Sequence, residues 1–193
     1  MKKHLLNTVL MTIATTVLLG VLYPLLVIGL AHLFFPKQAD GELISRNGVV
    51  IGSRLIGQAF TGPGYFHSRP SSAGTGYDAT ASASSNLGPT NAQLISRVNG
   101  DATRLQAENP TLPIPVDLVT TSGSGLDPDI TPAAARFQIR RVAAERKALE
   151  AEIEKMVAQH IEPRQWEFLG EPRVNVLELN LALDVRFPKA AVN

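Results

Sequence analysis

Cysteine is absent from this 193-residue chain, so any core it builds must close without disulfides. That leaves the compartment open: disulfides are permitted outside the cytoplasm but not required, and a domain of roughly 155 residues can bury enough surface without them. Aromatic residues make up only 6%, which argues against an aromatic-lined groove for sugars or stacked bases. The net charge is +1, and without Lys2 and Lys3 the remaining 16 of 18 basic residues face 17 acidic ones, a balance of −1. There is no basic face to hold phosphate backbones, so nucleic acid is not expected as a partner. One further absence is local: from Leu5 to Phe35 there is no Asp, Glu, Lys or Arg.

That uncharged stretch is 31 residues long, and 18 of them are Leu, Ile, Val or Phe. A helix crosses the hydrocarbon core of a bilayer with ~20 apolar residues, so this one spans it with room to tilt. Each such residue near the centre favours insertion by roughly 0.3–0.6 kcal/mol, enough to outweigh Asn7 and His32 near the ends. A cleaved secretory signal carries an apolar run of about 7–15 residues and a small-x-small cleavage site. The run here is about twice that length, and His32-Leu33-Phe34-Phe35-Pro36 offers no such site, so a retained anchor is expected. Lys2, Lys3 and His4 precede it, whereas the exit flank sets Lys37 against Asp40 and Glu42. Because cytoplasmic flanks are enriched in Lys and Arg, the expected layout is residues 1–4 inside, 5–35 in the membrane and 36–193 outside.

The anchor also carries a pattern. Thr8, Thr12, Thr16 and Gly20 recur every four residues, a stripe of small side chains of the kind that lets two helices approach closely in lipid. Thr and Gly are also simply tolerated in spans, and that reading stands beside the packing one. Tyr23-Pro24 is expected to kink the helix, since the proline ring removes a backbone donor and crowds the preceding turn. No ionisable residue lies at mid-span, so this helix alone offers no ion path or proton relay.

Beyond the anchor, the patterning predicts an α+β fold: one transmembrane helix followed by a single mixed domain. Leu43-Ile44 and Val49-Val50-Ile51 flank Arg46-Asn47-Gly48, a strong signal for a two-residue hairpin turn. Ser53 to Phe60 is expected to add a further strand. Ser71 to Asn86, mostly Ser, Ala, Gly and Thr, has too little apolar surface to order itself. It is either a flexible loop or a long functional loop clamped onto a partner. Leu94, Val98 and Leu105 mark a helix within Asn91–Glu108, stopped by Asn109-Pro110. Pro113 and Pro115 frame an extended segment, Val116 to Thr120. Thr131-Pro132 supplies an N-cap and first-turn proline for a helix to about Lys147 that buries Phe137, Ile139 and Val142. A second helix uses Leu149, Ile153, Met156 and Val157 and ends near Glu162-Pro163, with Glu150, Glu152, Glu154 and Lys155 on a solvated face. Leu169 to Leu183 alternates apolar and polar residues, predicting a half-buried strand that turns helical after Leu177.

No catalytic constellation is legible. A phosphate-cradling Gly-x-x-x-x-Gly-Lys-Ser/Thr loop is missing, and Gly123-Ser124-Gly125 is followed by neither a Lys nor an immediate helix. The four histidines, His4, His32, His67 and His160, lack metal-ligand spacing, and no metal is expected. No Gly-x-Ser-x-Gly elbow appears. His67 beside Arg69 reads first as a loop hydrogen-bonder and second as a base. Asp127 and Asp129 suit turn chemistry at a helix N-terminus, or the neutralising of a cation or basic partner. Candidate functional loops are therefore Tyr65, Phe66, His67, Arg69 and Asn86, together with Ser122, Gly123, Ser124, Gly125, Asp127 and Asp129. On the residues alone, a free-standing anchored protein that binds an extracytoplasmic solute or protein remains a possible reading.

Several motifs resemble a known family. Tyr23-Pro24-Leu25, Tyr65-Phe66-His67-Ser68-Arg69-Pro70-Ser71, Ser85-Asn86-Leu87-Gly88-Pro89 and Asp117 through Pro128 are similar to the C subunit of the bacterial Kdp-type potassium-transporting ATPase. So are Arg141-Val142-Ala143 and Gly170-Glu171-Pro172-Arg173-Val174-Asn175-Val176-Leu177. Ser68 departs from a position where that family is expected to carry a smaller residue. Lys147-Ala148 replaces a Gly-containing break between two helices, which leaves helix continuity there open. The resemblance implies a non-catalytic accessory subunit in the bacterial inner membrane, needed for assembly of a complex that drives potassium inward with ATP. Its partners would be a channel-like potassium-translocating subunit, a P-type ATPase subunit and membrane lipid. It would act as a catalytic chaperone that raises the ATPase subunit's affinity for ATP. ATP and K+ are implied for the complex, with no cofactor expected on this chain, which lacks the P-type Asp-Lys-Thr-Gly phosphorylation motif.

Overall fold

A computed structural model describes residues 1–188. The chain forms two compact units, Met1–Ile51 and a second that begins at Gly52. In the first, helix α1 (Lys2–Val17) runs through a π-helical stretch at Leu18–Leu22 into α2 (Tyr23–Phe34). Together, Lys2–Phe34 is long and apolar enough to cross a membrane, and none of it is buried against the rest of the chain. At Tyr23-Pro24 the helix continues, and its irregularity is the π turn just before the proline, a usual accommodation where a backbone donor is missing. A short helix, α3 (Pro36–Ala39), leads to the hairpin of β1 (Leu43–Arg46) and β2 (Val49–Ser53). Its turn residues Asn47 and Gly48 have φ of 53° and 77°, the left-handed pair that a type I′ turn requires.

The second unit holds α4 (Ala92–Glu108), a 3-10 turn at Val116–Leu118, β3 (Asp129–Ile130), α5 (Pro132–Arg146), α6 (Glu150–Gln159), β4 (Ile161–Glu162), β5 (Arg173–Asn175) and α7 (Val176–Arg186). The three strands form an antiparallel sheet in the order β3-β5-β4, with Ile130 and Ile161 both opposite Val174. Helix α5 packs on α6 and on β5, and α7 packs on α6 and β5. Phe137, Val142, Ile153, Val157, Val174, Leu179 and Leu183 are wholly buried where these elements meet. The α+β expectation holds.

Side chains cap three helix starts, of which only Thr131 is expected as a cap from the sequence. Asn91 accepts from the Gln93 amide, Thr131 Oγ1 from the Ala134 amide and Asn175 Oδ1 from the Glu178 amide. Helix α4 runs unbroken through Asn99-Gly100 and stops at Asn109. Helices α5 and α6 are separate, because Lys147 closes α5 in the left-handed conformation (φ 54°) usually given to glycine.

Four local expectations are corrected. Ser53 to Phe60 does not form a further strand: Ser53 ends β2, and 54–60 is a turn and an irregular run. Gly57 lies so close to the Asp127 backbone that a Cβ would sit 2.5 Å from its carbonyl oxygen, and one bond, Gly57 N–H to Leu126 O at 2.8 Å, replaces a ladder. Val116 to Thr120 begins with a 3-10 turn, not an extended segment, and its buried Asp117 reaches across to accept from the Thr131 amide at 2.8 Å. The second helix ends at Gln159, ahead of β4, and Leu149 is an exposed N-cap rather than a core residue. The alternating run from Leu169 is mostly not strand. Its strand is only Arg173–Asn175, and Asn175 then caps a helix whose Val176, Leu179 and Leu183 are buried at helical spacing.

Between β2 and α4 the chain has no regular element, and Phe66 within it is wholly buried. The Phe66 amide donates to Asn180 Oδ1 (2.8 Å) and its carbonyl accepts from Asn180 Nδ2 (2.9 Å). His67 is held in the same way by Gln138, at 2.8 and 3.0 Å. Replacing Asn180→Leu strands two buried backbone groups, each costing about 1–3 kcal/mol. The expected outcome is a urea midpoint lowered by the equivalent of about 2–5 kcal/mol, with little change in helix content.

Candidate functional site

Two of the sequence motifs converge. The Tyr65–Ser71 segment lies against the turn-rich loop from Thr120 to Asp129, and Arg69 joins them. Its Nη1 pairs with Asp127 Oδ2 at 3.1 Å, and its other nitrogens reach the Thr120 and Thr121 carbonyls at 3.4 Å and Thr120 Oγ1 at 3.3 Å. Asp127 Oδ1 accepts from the Asp129 amide at 3.1 Å, so one carboxylate closes a turn and neutralises a cation of its own chain. Asp129 in turn pairs with Arg173 at 3.1 Å and accepts from Asn175 at 3.3 Å.

The Ser/Ala-rich segment is ordered by the same loop. Ser71 Oγ donates to the Gly125 carbonyl at 2.6 Å and accepts from the Ala73 and Tyr77 amides. The Tyr77 hydroxyl donates to the Arg69 carbonyl. The Ala83 amide and Ser82 hydroxyl both donate to the Ser124 carbonyl, at 3.0 and 2.9 Å. Gly125 (φ 69°) permits this approach, since a Cβ there would meet Ala83 O at 2.6 Å and the Ala73 nitrogen at 2.7 Å. Ser122 is buried, whereas no heavy atom lies within 4 Å of a Cβ built on Gly123. Asn86 stands apart, exposed in the left-handed region (φ 51°) and accepting from Ser84 Oγ.

Three arginines and two amides hold the Gly62–Arg69 stretch. Of these, Arg69 is a candidate from the sequence and Arg141 part of a quoted motif, whereas Arg146, Gln138 and Asn180 are not singled out there. Arg141 donates to Tyr65 O (2.8 Å), Pro63 O and Gln138 Oε1 (2.7 Å), and pairs with Glu108 at 2.8 Å. The wholly buried Arg146 side chain reaches Gly64 O (2.7 Å), Phe187 O (2.8 Å) and Asp184 (2.7 Å), and stacks 4.7 Å over the Tyr65 ring. Arg69, Gln138 and Asn180 complete the set. An Asn or Gln placed on an otherwise buried helical face, as at Gln138 and Asn180, is the signal by which they are recognisable. Ser68 Oγ is buried without a hydrogen-bond partner and lines a cavity of about 30 Å³.

On the N-terminal helix, Thr8 and Thr12 hydroxyls bond back to the His4 and Thr8 carbonyls at 2.9 Å, and a Cβ built on Gly20 would have only Thr16 Cγ2 within 4 Å. Thr8 and Thr12 therefore have satisfied hydroxyls, and Thr16 turns a methyl group toward Gly20. Among the described residues no group of three or more His, Asp or Glu side chains is placed to hold a metal ion.

Burial, reinforced by the Arg141 charge, holds the His67 imidazole below its usual range, with its Nε2 3.0 Å from the Gly62 carbonyl. A carbonyl only accepts, so the neutral ring carries its proton on Nε2. Burial pushes Asp129 upward against the pull of Arg173. The two have opposite signs in stability. Below pH ~6.5 the unfolded chain takes up a proton at His67 that the folded chain resists, so stability falls as the pH drops. The raised Asp129 favours the folded state at acid pH, and that contribution is lost as pH rises through its folded value. The expected result is a steeper loss of stability between pH 7 and 5 for the native chain than for His67→Gln. The Asp129 contribution cancels in the difference, which denaturant titrations at several pH values measure.

Comparison with known proteins places these motifs in one lineage. The family described as "K+-transporting ATPase, c chain" matches residues 5–185. The potassium-transporting ATPase KdpC subunit of Koribacter versatilis is 62% identical over 184 residues, covering 95% of each chain. The subunit of the same name from Acidobacterium capsulatum is 56% identical across 94% of this chain and 97% of its own. That of Caulobacter vibrioides is 56% identical across 91% and 90%. Matches of this extent and identity, running from the N-terminal apolar helix into α7, mean that the chain belongs to the KdpC family of potassium-transporting ATPase subunits.

Proposed function

We propose that this chain is a non-catalytic accessory subunit whose N-terminus is cytoplasmic and whose body lies outside the inner membrane, capping the outer mouth of a channel-like potassium-translocating subunit. The observation that carries the reading is the wholly exposed apolar helix, Lys2–Phe34, in a member of a family named for a multi-chain ATPase. Such a surface belongs in lipid and against other spans, and the Thr8, Thr12, Thr16 and Gly20 stripe suits close helix packing. Lys2 and Lys3 favour an inside N-terminus.

ATP hydrolysis and phosphorylation belong to a separate P-type subunit, since this sequence lacks the Asp-Lys-Thr-Gly motif. The Ser122–Gly125 loop does not fit nucleotide phosphates: its Ser124 carbonyl binds residues 82 and 83, and the neighbouring Arg69 is engaged by Asp127 and by the Thr120 and Thr121 carbonyls. With the body outside, the catalytic chaperone role is a coupling between distant sites. This chain raises ATP affinity by favouring one state of the complex, and ATP strengthens its attachment by the same factor.

Two measurements test this. Native purification through a tag on this chain is expected to recover two larger membrane proteins, and potassium-stimulated ATPase activity is expected to disappear when the chain is omitted. Recovery of the chain alone, or full activity without it, would refute the assignment. Thr75→Cys, an exposed position in a cysteine-free chain, is expected to react with a membrane-impermeant maleimide on intact spheroplasts. Reaction only after lysis would reverse the orientation and bring the body into reach of cytoplasmic ATP.

A further inference from the structure

The connection from β4 to β5 carries an unusual concentration of exposed apolar surface. Among the described residues of the second unit, nine large apolar side chains are exposed, and three of them fall within four consecutive positions. Trp166, Phe168 and Leu169 are 79%, 68% and 42% exposed. Trp166 is the single tryptophan of the chain, and its ring lies 6.5 Å from that of Phe168.

The tip that displays them is held firmly. Gln165 and Leu169 exchange both backbone hydrogen bonds at 2.9 Å, and the Glu167 and Phe168 amides donate back to Arg164 and Gln165. At the base, Arg164 grips both oxygens of Glu171, at 2.7 and 2.6 Å. Trp166 and Glu167 both occupy the left-handed region, with φ of 49° and 70°. For a residue as bulky as tryptophan that conformation is a genuine outlier, and glycine would adopt it without strain. Exposed rings do not contribute to the core, so fold stability gives no reason for tryptophan at this place.

We infer that this aromatic tip is an anchor that inserts into an apolar pocket on another subunit of the same ATPase, with a basic group on the pocket rim opposite Glu167. The inference rests on the assembly reading above. Tryptophan is enriched among the few residues that dominate binding energy, at the centre of patches whose charges lie at the edge. Here the two rings are the centre, and Arg164, Glu167 and Glu171 are the edge. Lipid is the poorer fit. Membrane-surface segments pair aromatics with Lys and Arg, whereas this tip carries a carboxylate between its rings and its one arginine is clasped by Glu171.

The test uses the full chain coexpressed with the rest of the complex. Trp166→Gly relieves the backbone strain, so the chain's own thermal unfolding is expected at the native temperature or above it. Recovery of the complex is nonetheless expected to fall, with binding about thirtyfold weaker, the scale of a hot-spot loss. Trp166→Phe is expected to restore most of it, and Glu167→Lys to weaken binding again. As a second readout, Phe168→Cys carrying an environment-sensitive dye is expected to be shielded in the complex and solvated when the chain is alone in lipid nanodiscs. Native-strength assembly by Trp166→Gly overturns the inference, and so does shielding of the dye by lipid alone, which would assign the tip to the membrane. Assembly of the other subunits in a strain lacking this chain is a separate result. It would undo the accessory role itself, whatever the tip variants do.

Discussion

Buried backbone that belongs to neither helix nor sheet must still satisfy its N–H and C=O groups, and in this chain the segment around Phe66 sets that demand. No strand runs beside it. Asn180 on α7 and Gln138 on α5 instead offer side-chain amides with the same donor and acceptor pair a neighbouring strand would present, one to Phe66 and one to His67. Arg141 and Arg146 bind the carbonyls just before them. Helices α5 and α7 are thus positioned by polar groups reading one extended segment as much as by the apolar contacts around Val142 and Leu179. An arrangement of this kind is well defined because any slip of a single residue breaks several buried bonds at once.

The small sheet depends on a related device. Its strands are only two or three residues long, so they supply few ladder bonds. Arg173 bridges Asp129 (3.1 Å) on one neighbouring strand and Glu162 (2.7 Å) on the other, while Arg54 pairs with Glu162 and with Glu178 on α7 (2.8 Å). These groups are about a third exposed, and each pair alone adds little in water. Their value lies in connection, since two arginines join all three strands to the start of α7. The Arg69–Asp127 pair extends the same logic to the turn that leads into β3.

Much of the architecture was legible because it follows from short-range physics. The long apolar helix is written in a run without charge, the hairpin in Asn47-Gly48, and the start of α5 in Thr131-Pro132. What misled was periodicity over short elements. Leu177, Leu179, Leu181 and Leu183 recur at a period of two, whereas the buried Val176, Leu179 and Leu183 follow helical spacing from the Asn175 cap. Val116 to Thr120 looked extended between prolines, yet Pro115 also pre-sets the φ with which a tight turn begins. The loop cluster was visible as composition but not as contact. Nothing local says that Ser82 and Ala83 meet Ser124, or that Arg69 meets Asp127, because those pairings span about fifty residues and are set by the body of the fold. The buried amides escaped notice because each looks like an ordinary polar residue until the helix face is known.

The π turn at Leu18–Leu22 has a consequence for the long apolar helix. A turn that closes on the fifth residue rather than the fourth takes up one extra residue, and one residue corresponds to about 100° of helix rotation. The Thr8–Thr16 surface and the half that follows Tyr23 are therefore out of phase by that angle. A single rod with such an offset turns its first and second halves toward different directions, so one straight neighbour cannot lie flat against the corresponding faces of both.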